Sequence, residues 1–427
     1  MKFAKLIMVT ENNNNKEYIM KQLNDSTFEV QYGRVGQAYH TVTYTMYEWD
    51  KKYREKVRKG YKDISDLVEK EVITDDNRGL PYDYITNVSI RDILNRLYQY
   101  TDRYLKANYL IKATDVSRKQ IDDAYQILAD LGTLADTTDD YDYCTVKSIN
   151  KRLISLYEVI PRKMANVNDN LLDTSNTDES KLKDKIKQEL DMLKTMADAV
   201  ELREKEKARK STSDNNGDSK VLSESEQQAK ILEDLGLIVE EVSKGDVKFI
   251  KEQLGECSNL YKNAWKITNP ATSKKFNDLI ETEPYKGKKI AHYWHGSRNQ
   301  NWHNIIQTGL VTNPKGVTIT GKMFGYGIYF APKAKKSLGY TSLDGSYWAS
   351  GNDKSGFMAL FDVALGNVLD VYDHYRWCSR TNKEEMWKHN KCHTLYAHEG
   401  RGFLYNDEVI AYDDAQVNIK YLVELSR

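Results

Sequence analysis

HGSRNQNWHNIIQTGLVTNPKGVTITGKMFGYGIYFAPKAKKSLGY, from His295 to Tyr340, concentrates residues that build a ligand site. His295, Gly296 and Ser297 follow the apolar run Ile290 to Trp294, a pattern that predicts a strand ending where backbone groups can meet a ligand. Gly321 to Gly327 form a glycine-punctuated turn, which permits close approach of main chain to ligand, and it feeds the short apolar run Ile328-Tyr329-Phe330. Lys336, Ser337 and Tyr340 then place a cation, a hydroxyl and an aromatic ring within five residues. The glycine spacing is neither that of a Walker loop nor that of a Rossmann fingerprint.

Outward toward the carboxy terminus, Val409 to Tyr412 and Val417 to Leu425 read as strands, with Glu408 just ahead of the first. On the amino side, Leu232 to Val242 and Val247 to Leu254 carry apolar periodicity, and strands with short helices are expected from Trp265 onward. Arg203 to Lys220 has one alanine and no larger apolar residue, so it reads as a polar linker or the frayed end of a helix. Before it, Ile93, Leu94, Leu97 and Leu105, a capping box of Ser117 and Gln120, and the segments Ile149 to Ile160 and Leu182 to Leu202 predict a bundle of at least four helices. Asp75-Asp76-Asn77 and Gly79-Leu80-Pro81 mark a linker.

The first 62 residues alternate as strands around Phe28 to Tyr32, with Gly33 and Gly36 expected at turns. A basic helical segment follows. They hold twelve cations against seven anions, a net +5, although the whole chain balances 63 basic against 63 acidic residues. Tyr47, Trp49 and Tyr53 interleave with Lys51, Lys52, Arg54, Lys56, Arg58 and Lys59, a pattern suited to phosphate contacts and equally to a solvated helix face. Four cysteines without paired spacing form no disulfide framework, which fits a reducing compartment. No apolar run reaches membrane length, so the expectation is a soluble intracellular protein, nuclear in a eukaryote and cytoplasmic or nucleoid-associated in a prokaryote. His374, Cys378, His389, Cys392 and His393 lack tight metal-ligand spacing, and no metal is expected.

The ordered set His295-Gly296-Ser297, Tyr329 in GYGIYFA, Lys336-Ser337 with Tyr340, and Glu408 in LYNDEVIAYDDAQVNIKYL resembles the catalytic domain of the poly(ADP-ribose) polymerases. The helical segments SRKQIDDAYQIL and LYEVIP resemble that family's regulatory domain. QYGRVGQ at Gln31 to Gln37 is similar to a WGR domain, with Tyr32 in place of the tryptophan and Gly33 and Arg34 matching. The resemblance implies a multidomain α+β protein of the compact DNA-dependent type. Its parts would be a WGR-like sheet-plus-helix module over 1–75, a linker over 76–88, an all-α helical regulatory bundle over 89–202, a polar linker over 203–228, and a mixed α/β ADP-ribosyltransferase domain with antiparallel sheets over 229–427.

It further implies NAD⁺ as substrate, cleaved at the nicotinamide–ribose bond through an oxocarbenium-like transition state. Gly296 would hold the carboxamide through its backbone, Ser337 would add a bond, Tyr329 and Tyr340 would stack on the ring, and His295 and Ser297 would fix the adenosine ribose. Glu408, placed four residues before the tyrosine of Tyr412-x-x-x-Gln416, would be the catalytic carboxylate in preference to Asp407. Met323 and Lys336 match acceptor-site positions. Val311 stands where the family often has an arginine near the adenosine. The implied partners are DNA with strand breaks, bearing 5′-phosphorylated ends and met by Tyr32, Arg34, Lys51, Lys52, Arg54, Arg58 and Lys59, and protein acceptors including the chain itself. The bundle would restrain NAD⁺ access until DNA contact loosens it.

Overall fold

The structure is a computed structural model. It describes residues 1–35, 37–65, 80–137, 142–174, 179–210, 222–312, 323–343, 352–375, 377–400 and 404–427, with backbone alone at 179–180, 205–210 and 389–390. Gly36, Gly321, residues 76–79 of the first expected linker and 211–221 of the second lie outside these, as does the His389 side chain. The contacts separate two compact units, one built from Met1–Arg78 and Arg103–Glu201, the other chiefly from Gly79–Asp102, Leu202–Lys315 and Gly321–Arg427.

The first unit begins with β1 (Phe3–Thr10), β2 (Asn14–Gln22), β3 (Thr27–Arg34) and β4 (His40–Thr45), followed by α1 (Trp49–Arg58) and the short β5 (Lys62–Asp63). The sheet order is β4-β3-β2-β1-β5. Alternation along β3 turns Phe28 and Val30 inward, where Phe28 meets Trp49 of α1 edge-on at 4.9 Å. Gly33, expected at a turn, lies inside β3 opposite Glu17, because the strand continues one residue past it and a Cβ would come within 3.0 Å of the Tyr39 ring.

The helix α2 (Val88–Asn108) contributes its residues from Arg103 onward to this unit, followed by α3 (Arg118–Thr137), α4 (Tyr143–Val159) and α5 (Glu179–Lys210). Ser117 and Gln120 cap α3 reciprocally, at 2.9 and 3.3 Å. Leu128, Leu131, Ile149, Leu153, Ile186 and Leu193 share one core, and Ile7 and Val9 of β1 join it. Inside, Arg162 bonds Glu189 at 2.6 Å while the Tyr157 hydroxyl donates to the same carboxylate at 3.1 Å, so the buried charge is satisfied. The described residues 203–210 continue α5 as helix.

In the second unit, residues 80–87 read as linker, yet two of them, Tyr82 and Ile85, are buried in a core with Ile93, Leu94 and Leu97 of α2. The order continues α6 (Glu224–Leu235), β6 (Ile238–Glu241), α7 (Lys244–Leu254), β7 (Tyr261–Thr268), α8 (Pro270–Ile280), β8 (Ala291–Gly296), α9 (Asn299–Thr308), β9 (Ile328–Phe330), α10 (Ala334–Leu338), β10 (Ser355–Val363), β11 (Val368–Val371), β12 (Thr394–Ala397), β13 (Glu408–Ala411) and β14 (Val417–Ser426). Two sheets result, β6-β7-β14-β10-β8 and β11-β12-β13-β9. The described pairings are antiparallel except β11 with β12, which run parallel across a long connection. Phe357, Phe361, Phe330, Val409 and Ala411 share a core drawn from both sheets, whereas Leu395, Ala397 and Ile410 cover the other face of the second sheet with Phe324 and Tyr412.

Candidate active site

The site begins where the two sheets touch. Trp294 of β8 and Ala331, just past β9, exchange both backbone hydrogen bonds at 2.9 Å. This brings His295 beside Tyr329, whose carbonyl lies 2.9 Å from His295 Nδ1. A carbonyl only accepts, so Nδ1 carries the proton. Gly296 ends β8 against α10: a Cβ there would sit 1.9 Å from the Ser337 carbonyl oxygen, a distance only glycine permits. The buried Ser337 hydroxyl donates to the Trp294 carbonyl at 3.0 Å, leaving its oxygen able to accept. The Ser297 hydroxyl accepts from the Asn301 amide at 3.0 Å, and Val311 is exposed.

Tyr329 is fixed by the turn ahead of it. Its hydroxyl donates to the Gly325 carbonyl and accepts from the Phe324 N–H, both at 3.0 Å, and burial pushes it well above the usual tyrosine range. Gly325 has φ +74°, and a Cβ would come 2.1 Å from the Thr381 oxygen, so this turn needs glycine for both conformation and space. Tyr340 stays partly exposed; burial, then the negative charge of Glu408, pushes its hydroxyl up to about 12.

Glu408 opens β13, paired opposite Ala397. Its carboxylate forms an ion pair with Lys336, whose ammonium also donates to the Asn406 carbonyl at 3.3 Å. Because side chains alternate along a strand, Glu408 shares a face with Ile410, which pairs with Tyr329. Asp407 points the other way, accepting from the Tyr396 hydroxyl at 3.0 Å and from the Glu399 N–H at 2.8 Å. The strand's register is tied by Gln416, which accepts from the N–H groups of Tyr412 and Asp413 and donates to Ala364 O and Thr394 Oγ1. Met323 precedes Phe324 in the same turn, and its carbonyl meets His374 Nε2 at 2.9 Å.

His295, Gly296, Tyr329, Lys336, Ser337 and Glu408 thus come from four elements of one unit, β8, β9, α10 and β13, and Tyr340 from the turn just after α10. Sequence reading named Lys336 and Glu408 separately and missed their pairing. Their separation of 72 positions (336 to 408) encodes no local signal. It also missed Gln416 as an anchor, whose signal was its fixed distance from Tyr412. Among the described residues no group of three or more His, Cys, Asp or Glu is arranged to hold a metal ion.

The basic residues of the first unit divide by environment. Lys51, Arg54 and Arg58 of α1 are exposed, Lys59 pairs with Glu55 at 2.6 Å, and Lys52 lies 4.1 Å from the Tyr44 ring centroid. Tyr32 is partly exposed between the rings of Tyr18 and His40. Arg34 is used internally: its Nε donates to the Ala165 carbonyl at 2.8 Å and its guanidinium also reaches Asn13.

Residues 248–427 match the poly(ADP-ribose) polymerase catalytic domain, and this segment contains every residue of the site. Among individual relatives, the uncharacterized protein 101L of Invertebrate iridescent virus 6 is 38% identical over 165 residues, covering 39% of this chain and 65% of that protein. Poly [ADP-ribose] polymerase 1 of Gallus gallus is 32% identical over 218 residues, covering 42% of this chain and 20% of its own length. Poly [ADP-ribose] polymerase of Sarcophaga peregrina is 26% identical over 344 residues, 73% of this chain and 31% of that protein. The chain therefore spans less than two thirds of each of these three relatives. Among the described residues no helix is long and apolar enough to cross a membrane.

Proposed function

We propose that the chain is an NAD⁺-dependent ADP-ribosyltransferase that releases nicotinamide and builds poly(ADP-ribose) on itself and other proteins. The observation that carries this is the Lys336–Glu408 pair on the face shared with Tyr329, inside the segment matching the polymerase catalytic domain. The backbone of Gly296 and the oxygen of Ser337 offer donors and acceptors for a carboxamide, and Tyr329 and Tyr340 offer flat apolar rings for the pyridine. Bond cleavage leaves positive charge on the ribose, which a fixed carboxylate stabilises. Glu408 is that group, and it also polarises the incoming acceptor hydroxyl. Lys336 orients Glu408 and, with Met323, borders the acceptor side; His295 and Ser297 bind the adenosine ribose.

The exposed Lys51, Arg54 and Arg58, with Tyr32 nearby, support a WGR-type role for the first unit: DNA breaks with 5′-phosphorylated ends bind there and raise activity. Lys52 and Lys59 contribute once released from Tyr44 and Glu55, and Arg34 supports the surface from within. The helices of 89–202 transmit that binding as a regulatory bundle, placing the protein wherever damaged DNA is found.

Incubation with adenylate-labelled NAD⁺, with and without 5′-phosphorylated nicked DNA, tests both parts. The expected result is nicotinamide release with a ladder of labelled protein, stimulated by DNA and lost in Glu408→Gln. Equal release by Glu408→Gln and the wild type would sink the catalytic assignment, and equal activity with and without DNA would sink the stimulation.

A further inference from the structure

Asp407 takes no part in the chemistry above, yet both of its oxygens are held. The Tyr396 hydroxyl donates to one at 3.0 Å and the Glu399 N–H to the other at 2.8 Å. Burial, then the Asp407 carboxylate, pushes the Tyr396 hydroxyl well above the usual tyrosine range, so it stays a donor at neutral pH. Within the sheet Tyr396 pairs with Val409 and Ala397 with Glu408. Alternation therefore puts Tyr396 and Val409 on one face of the sheet, and Ala397, Glu408 and Ile410 on the other.

The ladder between β12 and β13 ends at the Ala397–Glu408 pair, so Asn406 and Asp407 lie beyond it. Lys336 of α10 meets the Asn406 carbonyl at 3.3 Å and the Glu408 carboxylate, and the bonds from Tyr396 and Glu399 hold the residue between. Lys336 alone would leave the segment free to roll about the line joining its two contacts. The bonds to Asp407 remove that freedom. The Tyr396 ring is braced in turn: it stacks on His398 at 4.6 Å, and His398 stacks on Tyr372 at 4.4 Å. His398 Nε2 lies 2.7 Å from Asp370, the residue that pairs with Tyr396 across β11 and β12. A ring already ordered loses little freedom when its hydroxyl bonds.

We propose that Asp407 is a positioning residue for Glu408: held by Tyr396 and the Glu399 N–H, it fixes the entry to β13 and so the place of the carboxylate set against Lys336. This inference rests on the transferase reading above and deepens it by naming the groups that place its reacting carboxylate. Displacing a reacting group by about 1 Å costs on the order of 100-fold in rate, so two bonds one residue away bear on turnover. Asp407 works here as a hydrogen-bond acceptor, a task for which one oxygen of an asparagine is a partial substitute.

Steady-state nicotinamide release by the full chain gives kcat and KM for NAD⁺. Asp407→Ala is expected to lower kcat about tenfold or more while KM stays within about twofold, because the groups that bind substrate are untouched. Tyr396→Phe keeps the stacked ring and loses one bond, and Asp407→Asn keeps one acceptor oxygen; each is expected to lower kcat about fivefold. Tyr396→Phe/Asp407→Ala is expected to match Asp407→Ala alone, since the hydroxyl acts through Asp407. Wild-type kcat in Asp407→Ala, a loss confined to KM, or multiplying effects in the double variant overturns the proposal. Asp407→Asn as inactive as Glu408→Gln also overturns it, by making the charge itself the requirement. Thermal unfolding identifies a misfolded Asp407→Ala, in which case Tyr396→Phe, Asp407→Asn and their combination carry the same comparison. Amide exchange across Asp407 to Val409 reads the strand entry without turnover and is expected to quicken about tenfold in Tyr396→Phe. Unchanged exchange there overturns the strut. A wild type that releases no nicotinamide, with exchange quickened in the variant, would overturn the transferase reading and leave the strut intact.

Discussion

Lys336 and Glu408 meet as a charge pair with side chains 11% and 12% exposed, one on a short helix and the other at the first position of a strand. Neither charge is well solvated, so each depends on its partner. Glu408→Gln or Lys336→Met alone is expected to cost about 1–3 kcal/mol of stability by stranding the other charge. The double variant is expected to cost less than the two singles combined. Denaturant unfolding of all four proteins measures this, and strict additivity would show that the pair contributes no coupling.

Gly296 faces main chain, not side chain. Gly296→Ala forces a methyl group into the Ser337 carbonyl, and the strand end or α10 must shift. Nicotinamide release is expected to fall by about 100-fold or more, the scale of losing a positioned backbone donor. Ser337→Ala removes one hydroxyl without displacing backbone and is expected to cost about tenfold, seen mainly in KM for NAD⁺. Equal effects of the two changes would contradict this ordering.

His303 lies on α9, 4% exposed, with the Tyr82 hydroxyl 2.9 Å from its Nε2. Burial pushes its imidazole down from 6.5 to about 4. The folded protein holds it neutral while the unfolded chain protonates it, so its stabilising contribution is complete above about pH 6.5 and is lost as pH falls toward 4. The loss is at most about 3 kcal/mol over that window. His303→Gln is expected to be less stable at pH 7.5 yet to show a shallower decline on acidification. Parallel decline of both proteins would remove His303 from the acid response.

Glu424 of β14 is buried, and Arg96 of α2 grips it with two bonds, at 2.7 and 2.8 Å, while Lys262 adds a third at 3.0 Å. Burial disfavours its charge, but these cations outweigh that and hold the carboxyl below the usual range. Its contribution is therefore present at neutral pH and lost as pH falls through that lowered value. Arg96→Ala is expected to destabilise by about 1–3 kcal/mol, less than a fully buried pair because Arg96 is partly exposed. Amide exchange should rise first between Val88 and Asp102; unchanged exchange there would show that the apolar side of α2 suffices to hold it.

Local patterns carried much of this architecture. The apolar run before His295, the triplet Ile328-Tyr329-Phe330 and the Ser117–Gln120 pair each specify their element within a few residues, and the structure has those elements there. The packing of Tyr82 and Ile85 was not legible, because Gly-Leu-Pro describes how a backbone bends and says nothing of which surface covers it. Nor was the parallel pairing of β11 with β12, which depends on the 22 residues between them (372–393). For Glu408, the family resemblance, through the position of Tyr412 and Gln416, selected the residue, whereas its ion-pair partner Lys336 emerged only when α10 and β13 were side by side. Arg34 was placed at the DNA surface by its match to the WGR pattern, which carries no sign of its bond to Ala165, a residue 131 positions away.

Gln416 exerts an influence out of proportion to its chemical inertness. Its one amide fastens the end of β13 to Ala364 and Thr394. A deletion of one residue between Glu408 and that knot would preserve every reactive group in the chain while swapping Glu408 and Asp407 between inside and outside. Reagent and address are thus inherited separately. A descendant sequence can retain its glutamate intact and still turn it to the wrong face through a deletion among the seven residues that follow, Val409 to Ala415.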